Sequence, residues 1–312
     1  MSWPVLLGLV ICNAIWATNP IMGKILLQHF PPLQVSCLRY GSALLMALAC
    51  SGFFGYRRSP LVGPVRLAFN TAALPWVAAM GFITFFGSAV LQFRGLAHST
   101  STANAILVAL EPLFAVFLAW AFLGEEVRKR QGFAFLLAVA GFLFLSNLKP
   151  HDFMATIGLF SFGNFMLLLT MPMEAMYSII SRRLGGRVPA ITLFTSALLI
   201  GFAALIAYLL ASGLGFPDLR TLDALGWFAL LWVGPLGTAI TYTYWTVALE
   251  KAPVAAVSLT LFVQPILGAG FASFFLGERL DLWQAIGGAL IVGALALQTT
   301  VALKPAKMKD PL

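Results

Sequence analysis

Long apolar runs recur along this 312-residue chain and constrain its fold more than any other feature. A helix of about 20 apolar residues crosses a lipid hydrocarbon core, and the runs are long enough to do so. Hydrophobic residues make up 60% of the chain and charged residues only 10%, whereas a soluble domain carries about a quarter charged residues. The sequence therefore predicts a polytopic membrane protein.

Ten apolar spans are predicted, joined by short connections that carry Gly, Pro or charged residues. We expect helices, because the runs lack the alternation of a membrane barrel strand and because helices satisfy their own backbone polar groups in lipid. The predicted fold class is an all-α integral membrane protein. The spans cover residues 3–27, 33–55, 69–93, 102–123, 132–149, 154–181, 190–212, 224–248, 254–276 and 283–303.

Basic residues between the spans favour one side of the membrane. Thirteen lie after even-numbered spans or in the carboxyl-terminal tail, against five on the other side. Because cytoplasmic loops are rich in Lys and Arg, both termini are predicted in the cytoplasm, with the chain in a plasma or inner membrane. The net charge of +8 comes largely from these loops and not from a basic, aromatic-rich face, so we expect no nucleic-acid partner.

The chain contains an internal repeat. A shift of 153 residues places Gly81 on Gly234 and Pro112 on Pro265, and it aligns the Phe-Leu-Gly-Glu motifs that follow the two prolines. The repeats are predicted as residues 1–150 and 151–312, each with five spans. Because five is odd, the second repeat enters the membrane from the opposite side. Inverted repeats of this kind are typical of secondary transporters, with the substrate site between them near the midplane.

Two matching segments also carry a family resemblance. They read GLAHSTSTANAILVALEPLFAVFLAWAFLGEE at 95–126 and ALEKAPVAAVSLTLFVQPILGAGFASFFLGER at 248–279. The chain resembles the drug/metabolite transporter superfamily, specifically the ten-span EamA-type transporters, over nearly its whole length. The resemblance implies export of amino acids or other small metabolites, although more distant members carry sugar phosphates, nucleotide sugars or drugs. It also includes the arrangement of Trp16, Lys24, Pro32 and Arg39.

Glu111 and Pro112 lie inside an apolar run, where the second repeat has Gln264 and Pro265. A carboxylate within a span is costly and usually faces a cavity or a partner. Glu111 is therefore a candidate proton site or anchor for a substrate ammonium group, or else a polar group that bonds to a neighbouring helix. Each proline removes a backbone donor, so Pro112 and Pro265 are predicted as hinges, with static kinks as the alternative.

Three further charged residues are candidates for substrate binding. Glu174 is a second carboxylate inside a span, with Lys24 or Arg39 as its expected partner or the cavity as its surroundings. Lys24 and Arg39 flank the first external turn and either extend to the membrane interface or bind a substrate carboxylate. A guanidinium group suits a carboxylate because it donates two parallel hydrogen bonds.

Aromatic and amide side chains complete the predicted site. Trp16, Tyr177, Tyr242 and Trp245 would form an apolar wall with polar groups, which suits a hydrophobic or aromatic substrate side chain. The alternative is packing against lipid or neighbouring helices. Asn19 is a further polar candidate, and a hydrogen bond between helices is its alternative role.

The Phe-Leu-Gly-Glu motif of the first repeat marks a predicted helix end. Gly124 is expected in the left-handed conformation that commonly terminates helices. Glu125, Glu126 and the basic residues that follow are predicted to form a solvated cytoplasmic loop. Gly277 and Glu278 occupy the equivalent positions at the opposite membrane face.

Signals for catalysis and metal binding are absent from the sequence. It contains no H-E-x-x-H, G-x-S-x-G or phosphate-loop motif, and its Cys and His residues lack metal-site spacing. We therefore expect neither an enzyme nor a cofactor.

The main functional hypothesis is an exporter of hydrophobic or other neutral amino acids that works by alternating access around a midplane cavity. The alternative is a transporter of drug-like cations, nucleobases or other metabolites. The expected partners are a small-molecule substrate and the lipid bilayer. The sequence does not distinguish proton-coupled from uncoupled transport, or a monomer from a homodimer.

Overall fold

A computed structural model of the chain describes residues 1–53, 73–99, 104, 107–125, 129–145, 162–267 and 282–299. Within this part of the chain the regular structure is helical, and each of the ten predicted spans coincides with a helix. Large apolar side chains such as Leu7, Leu45 and Leu136 lie exposed on the helix surfaces, as lipid-facing residues do. The predicted all-α fold class is confirmed.

The helices are numbered here by span, so that α1–α5 form the first repeat and α6–α10 the second. Among the described residues, α1, α2, α3, α7 and α8 are long and apolar enough to cross a membrane. The first repeat contains α1 (Trp3–His29), α2 (Pro32–Phe53), α3 (Leu74–Ala97), α4 (Glu111–Leu123) and α5 (Lys129–Leu145). The second contains α6 (Phe162–Leu184), α7 (Ala190–Ala211), α8 (Ala224–Lys251), α9 (Val254–Leu267) and α10 (Leu282–Thr299).

The third helix of each repeat contains a π-helical segment at nearly the same place, Gly81–Ser88 in α3 and Trp232–Ile240 in α8. The first segment packs against α7 and the second against α2. Glycine allows both approaches, since a Cβ atom at Gly81 would lie 2.6 Å from the Ala197 carbonyl oxygen and one at Gly234 2.8 Å from a backbone oxygen of α2. Each repeat therefore packs its third helix on the second helix of the other.

Aromatic side chains from both repeats meet in the centre of the bundle. Tyr40 of α2, Phe85 of α3, Tyr177 of α6 and Phe194 of α7 are all fully or almost fully buried. The ring of Phe85 lies edge-on to the other three, with centroid distances of 5.6 to 5.8 Å. Edge-to-face contacts of this kind add to the stabilisation from burial alone. This aromatic core supports the polar groups described below.

Both helices that carry the predicted hinge prolines are irregular just before the proline. Residues 109–110 form a turn directly ahead of α4 and Pro112, and the Leu110 N–H donates to the Leu107 carbonyl at 2.9 Å. In α9 the 3-10 segment Leu259–Phe262 precedes Pro265. Proline has no N–H, and its ring crowds the preceding turn, which favours an irregularity there. Pro20 in α1 and Pro172 in α6 nevertheless lie inside regular α-helix. Hinge motion at these two sites stays a prediction.

Glu125 is buried, so the predicted solvated loop is wrong at this residue. The helix ends at Gly124, whose φ of 63° is the expected left-handed conformation. The Glu125 side chain that follows is 7% exposed, because it binds the backbone at the start of α9. Lys129 and Arg130 are exposed as predicted, but they form the first turn of α5 and not a loop. Glu126, Arg128, Gly277 and Glu278 lie outside the described residues.

Candidate functional site

Glu174 lies at the middle of α6, and both of its carboxylate oxygens are held by side chains from other helices. The Ser88 hydroxyl of α3 donates to Oε1 at 2.5 Å, and the Tyr242 hydroxyl of α8 donates to Oε2 at 2.7 Å. Glu174 is half-buried. Because a carboxylate oxygen can accept more than one hydrogen bond, both oxygens retain capacity for a further donor. The residue is thus a carboxyl group held in a fixed position at the contact between the repeats.

Arg39 of α2 is 4% exposed, so its alternative role as an interfacial residue is wrong. Its Nε donates to Thr238 Oγ1 at 2.9 Å, and its Nη1 donates to Gln92 Oε1 at 2.6 Å. The guanidinium carbon also lies 5.1 Å from the centroid of the Tyr40 ring, a favourable cation–π distance. Thr238 and Gln92 are both neutral, so these two hydrogen bonds do not neutralise the positive charge of Arg39.

Arg39 interacts electrostatically with Glu174 at longer range than its hydrogen bonds to Thr238 and Gln92. Arg39, and not Lys24, is therefore the basic candidate that the structure brings to this carboxylate. Lys24 has a different partner, since its Nζ donates to the carbonyl of Ser99 at 2.6 Å, just beyond the end of α3. That contact satisfies a backbone acceptor near a helix terminus, as lysine side chains commonly do.

Trp16 links α1 to α8 beside the Glu174 carboxylate. Its Nε1 donates to the Gly237 carbonyl at 2.9 Å, and its ring lies 5.4 Å from Tyr242 and 5.1 Å from Trp245. The Trp16 ring is half-buried, in contrast to the other two. Asn19, one turn further along α1, also lies against Gly237. The amino-terminal helix thus contributes an aromatic face and an amide to the cluster.

Tyr177 and Trp245 lie behind this face and have their polar atoms satisfied within the protein. The Tyr177 hydroxyl donates to the Tyr242 carbonyl at 3.1 Å and is 2.6 Å from Thr246 Oγ1. The Trp245 Nε1 donates to Ser178 Oγ at 2.9 Å. Tyr177 is 1% exposed and Trp245 2%. Their geometry supports Trp16 and Tyr242, while direct substrate contact at either residue stays a prediction.

Glu111 and its counterpart Gln264 differ in their surroundings as well as in charge. Gln264 Nε2 donates to Asn13 Oδ1 at 3.0 Å, and Asn13 Nδ2 donates to Thr260 Oγ1 at 3.1 Å. These bonds tie α9 to α1. Glu111 is half-buried at the start of the regular part of α4, where its charge interacts with that of Glu174. None of the described residues donates a hydrogen bond to its carboxylate.

Three residues of this cluster were missed by sequence reasoning, namely Ser88, Gln92 and Thr238. Each holds one of the two central charges, as its hydrogen bonds show. A signal was present, since the 153-residue shift places Ser88 on Thr241 and Gln92 on Trp245, at either end of the stretch 241–245 that contains the candidates Tyr242 and Trp245. The polar residues of the third spans were therefore the positions to examine.

The two helical repeats and the polar and aromatic cluster between them define a membrane transporter. The model of the EamA-like transporter family matches the chain twice, over residues 3–147 and 161–300. The chain belongs to this family, which confirms the resemblance found in the sequence.

Individual relatives and one solved structure are similar over nearly the full chain. An uncharacterized transporter of Archaeoglobus fulgidus is 25% identical, and its alignment covers 93% of this chain and 96% of the relative. A Streptantibioticus cattleyicolor protein named "Probable terminal-alkyne amino-acid exporter" is 24% identical, with coverage of 86% and 87%. A Salmonella typhimurium protein named "Probable amino-acid metabolite efflux pump" is 24% identical, with coverage of 90% of each. A protein of known crystal structure is 21% identical and superposes with a TM-score of 0.68, over 95% of this chain and 97% of the other chain. This similarity supports the fold.

Proposed function

We propose that this protein is a secondary exporter of small neutral amino acids with hydrophobic or aromatic side chains. The observation that carries the proposal is the pair of opposite charges, Glu174 and Arg39, each held by side chains from other helices beside an aromatic face. Fixed charges of opposite sign suit a zwitterion, because each charged end of the ligand finds a partner without reorganisation of the protein. The names of two relatives agree with an amino-acid substrate but do not specify its side chain.

The residues have distinct roles in this proposal. Glu174 accepts hydrogen bonds from the substrate ammonium group through its unused lone pairs. Arg39 binds the substrate carboxylate with the N–H groups that Thr238 and Gln92 do not occupy. Trp16 and Tyr242 contact the substrate side chain, with Asn19 at the edge of the site. Glu111 takes up a proton when the site is empty.

Transport proceeds by alternating access of the two inverted repeats, residues 1–150 and 151–312, around this site. Pro112 and Pro265 serve as hinges, because each follows an irregular turn that can absorb a change in backbone angle. The chain lies in the plasma or inner membrane with both termini in the cytoplasm, and it acts without catalysis.

Counterflow in proteoliposomes tests this proposal. Vesicles loaded with unlabelled amino acids are mixed with labelled phenylalanine, methionine or threonine, and uptake is compared with that of empty vesicles. We expect saturable uptake with the wild type and about a tenfold or greater loss of apparent affinity with Glu174→Gln, because a hydrogen-bonded charge is removed. Glu250→Gln is the matched control, since Glu250 is exposed at the end of α8. Absence of counterflow with folded protein would contradict the proposal.

Transport of drug-like cations or nucleobases is the second candidate, and the charge balance of the site favours a cation. Glu111 and Glu174 interact with each other, whereas Arg39 is the single buried cation among the described residues of the cluster. With both carboxyl groups ionised, the negative charge exceeds the positive charge and attracts a positive ligand. A cation carrier would depend on Glu111 or Glu174 and would tolerate Arg39→Gln, whereas an amino-acid exporter would lose affinity in that variant.

A further inference from the structure

Glu125 joins the end of α4 to the beginning of α9. Its two carboxylate oxygens lie 3.3 and 3.0 Å from the backbone nitrogen of Val254, the first residue of α9. The first N–H groups of a helix have no acceptor within the helix and carry its positive dipole end, so a buried carboxylate is well placed there. A side chain of the first repeat therefore caps a helix of the second.

Arg182, near the end of α6, binds the same carboxylate and a third helix end. Its Nε lies 3.5 Å from Glu125 Oε1. Its Nη1 donates to the carbonyl of Leu249 at 2.6 Å and lies 3.3 Å from that of Glu250, where the last carbonyls of α8 lack helical partners. The carboxylate thus meets the positive end of one helix, and the guanidinium group meets the negative end of another. Together they hold α4, α6, α8 and α9 at one end of the bundle.

This contact lies in line with the candidate site. Glu174, Ser178 and Arg182 are spaced four residues apart on α6, so they share one face of that helix, with Arg182 about 12 Å from Glu174 along the axis. Between them Trp245 binds Ser178 and fills the space. Trp245 and then the Glu125–Arg182 contact therefore follow the candidate site in order toward this end of α6.

We propose that Glu125 and Arg182 form a latch that closes the cytoplasmic end of the transport pathway. The latch separates each time the site opens to the cytoplasm and re-forms when it closes. This inference rests on the proposed function only in its assumption of transport between the repeats. It does not depend on the identity of the substrate.

Alkylation of an introduced cysteine tests the latch. Ser181 is fully buried beside Arg182, and Ser181→Cys is nearly isosteric. The full-length variant is treated in detergent with N-ethylmaleimide, and the modification of the introduced thiol is followed over time by mass spectrometry of its peptide. The buried native Cys37 serves as an internal reference for global unfolding.

We expect Glu125→Gln and Arg182→Gln, each in the Ser181→Cys background, to raise the alkylation rate about tenfold or more, since each change removes one charged partner of the contact. The matched controls are Glu250→Gln and Arg187→Gln, the same changes at exposed positions in the same region, and they should leave the rate unchanged. The double variant Glu125→Gln/Arg182→Gln should be alkylated at nearly the same rate as the faster single variant, because the two residues act as a pair.

Equal alkylation rates in the latch variants and their controls, with unchanged Cys37 reactivity, would overturn the proposal. Where Glu125→Gln fails to fold, Glu125→Asp replaces it, because this change keeps the charge and only withdraws the carboxylate from Val254. An unchanged rate in that variant would be equally decisive. The alkylation assay contains no amino acid, so its outcome does not depend on the substrate. A failure of the latch proposal can therefore be distinguished from a failure of the proposed substrate, which would show as absent counterflow.

Discussion

Loss of the Tyr242 hydroxyl should weaken substrate binding without disturbing the aromatic core. This group donates to Glu174 Oε2 at 2.7 Å, while the ring packs against Trp16 at 5.4 Å and Phe85 at 5.6 Å. Phenylalanine at this position keeps the ring contacts and removes only the donor. A hydrogen bond to a charged group is worth roughly 1.5–3 kcal/mol, and each 1.4 kcal/mol corresponds to about a tenfold change. Because Ser88 still holds the other oxygen, we expect the low end, about a tenfold loss of phenylalanine affinity.

The assay is the concentration dependence of phenylalanine counterflow by Tyr242→Phe. Tyr208→Phe is the matched control, since the Tyr208 hydroxyl lies 2.8 Å from Arg94 Nη2 and so also loses a bond to a charged group. Tyr208 lies away from the site, so its variant should match the wild type in affinity. Equal affinity in Tyr242→Phe and Tyr208→Phe would refute the assignment of Glu174 as an anchor that Tyr242 orients.

Three further predictions concern stability, measured by thermal unfolding in detergent. Gly81→Ala should lower the stability of the folded protein by about 1–3 kcal/mol, because the added Cβ atom would lie 2.6 Å from the Ala197 carbonyl oxygen. An unchanged unfolding midpoint would show that α3 can shift freely. Gln264→Leu should cost about 1–3 kcal/mol by leaving buried Asn13 Oδ1 without its donor, and a neutral result would make that bond dispensable. Burial raises the pKa of Glu125 despite the opposing hydrogen bonds and charge. Its contribution to stability should therefore fall as pH rises from about 4.3 through the raised pKa, and Glu125→Gln should flatten this dependence.

The span pattern could be predicted because membrane thickness fixes helix length. The repeat also followed from the sequence, since Pro112 and Pro265 recur at one offset. The backbone departs from regular α-helix ahead of both prolines, as a turn at 109–110 and as a 3-10 segment at Leu259–Phe262. Helix rotation could not be predicted in the same way. In lipid, apolar residues cover every face of a helix, so hydrophobic periodicity does not show which face points inward.

The partners of the central charges illustrate that limit. Glu174 and Arg39 stood out because charges inside spans are rare, but Ser88, Gln92 and Thr238 come from packing between helices that are distant in sequence. Glu125 was misjudged for a related reason. A carboxylate beside basic residues resembles a solvated loop, and only the arrival of the α9 amino terminus makes its burial favourable.

Direct binding to the purified protein tests the central claim that the site holds a zwitterion with its ammonium group on Glu174. Calorimetry would compare L-phenylalanine with phenethylamine, which lacks the carboxylate, and with 3-phenylpropionate, which lacks the ammonium group. We expect phenylalanine to bind most tightly, each analogue to bind at least about tenfold more weakly, and Glu174→Gln to weaken phenylalanine and phenethylamine but not 3-phenylpropionate. Failure of phenylalanine to bind the folded wild type, or equal binding by Glu174→Gln, would contradict the claim.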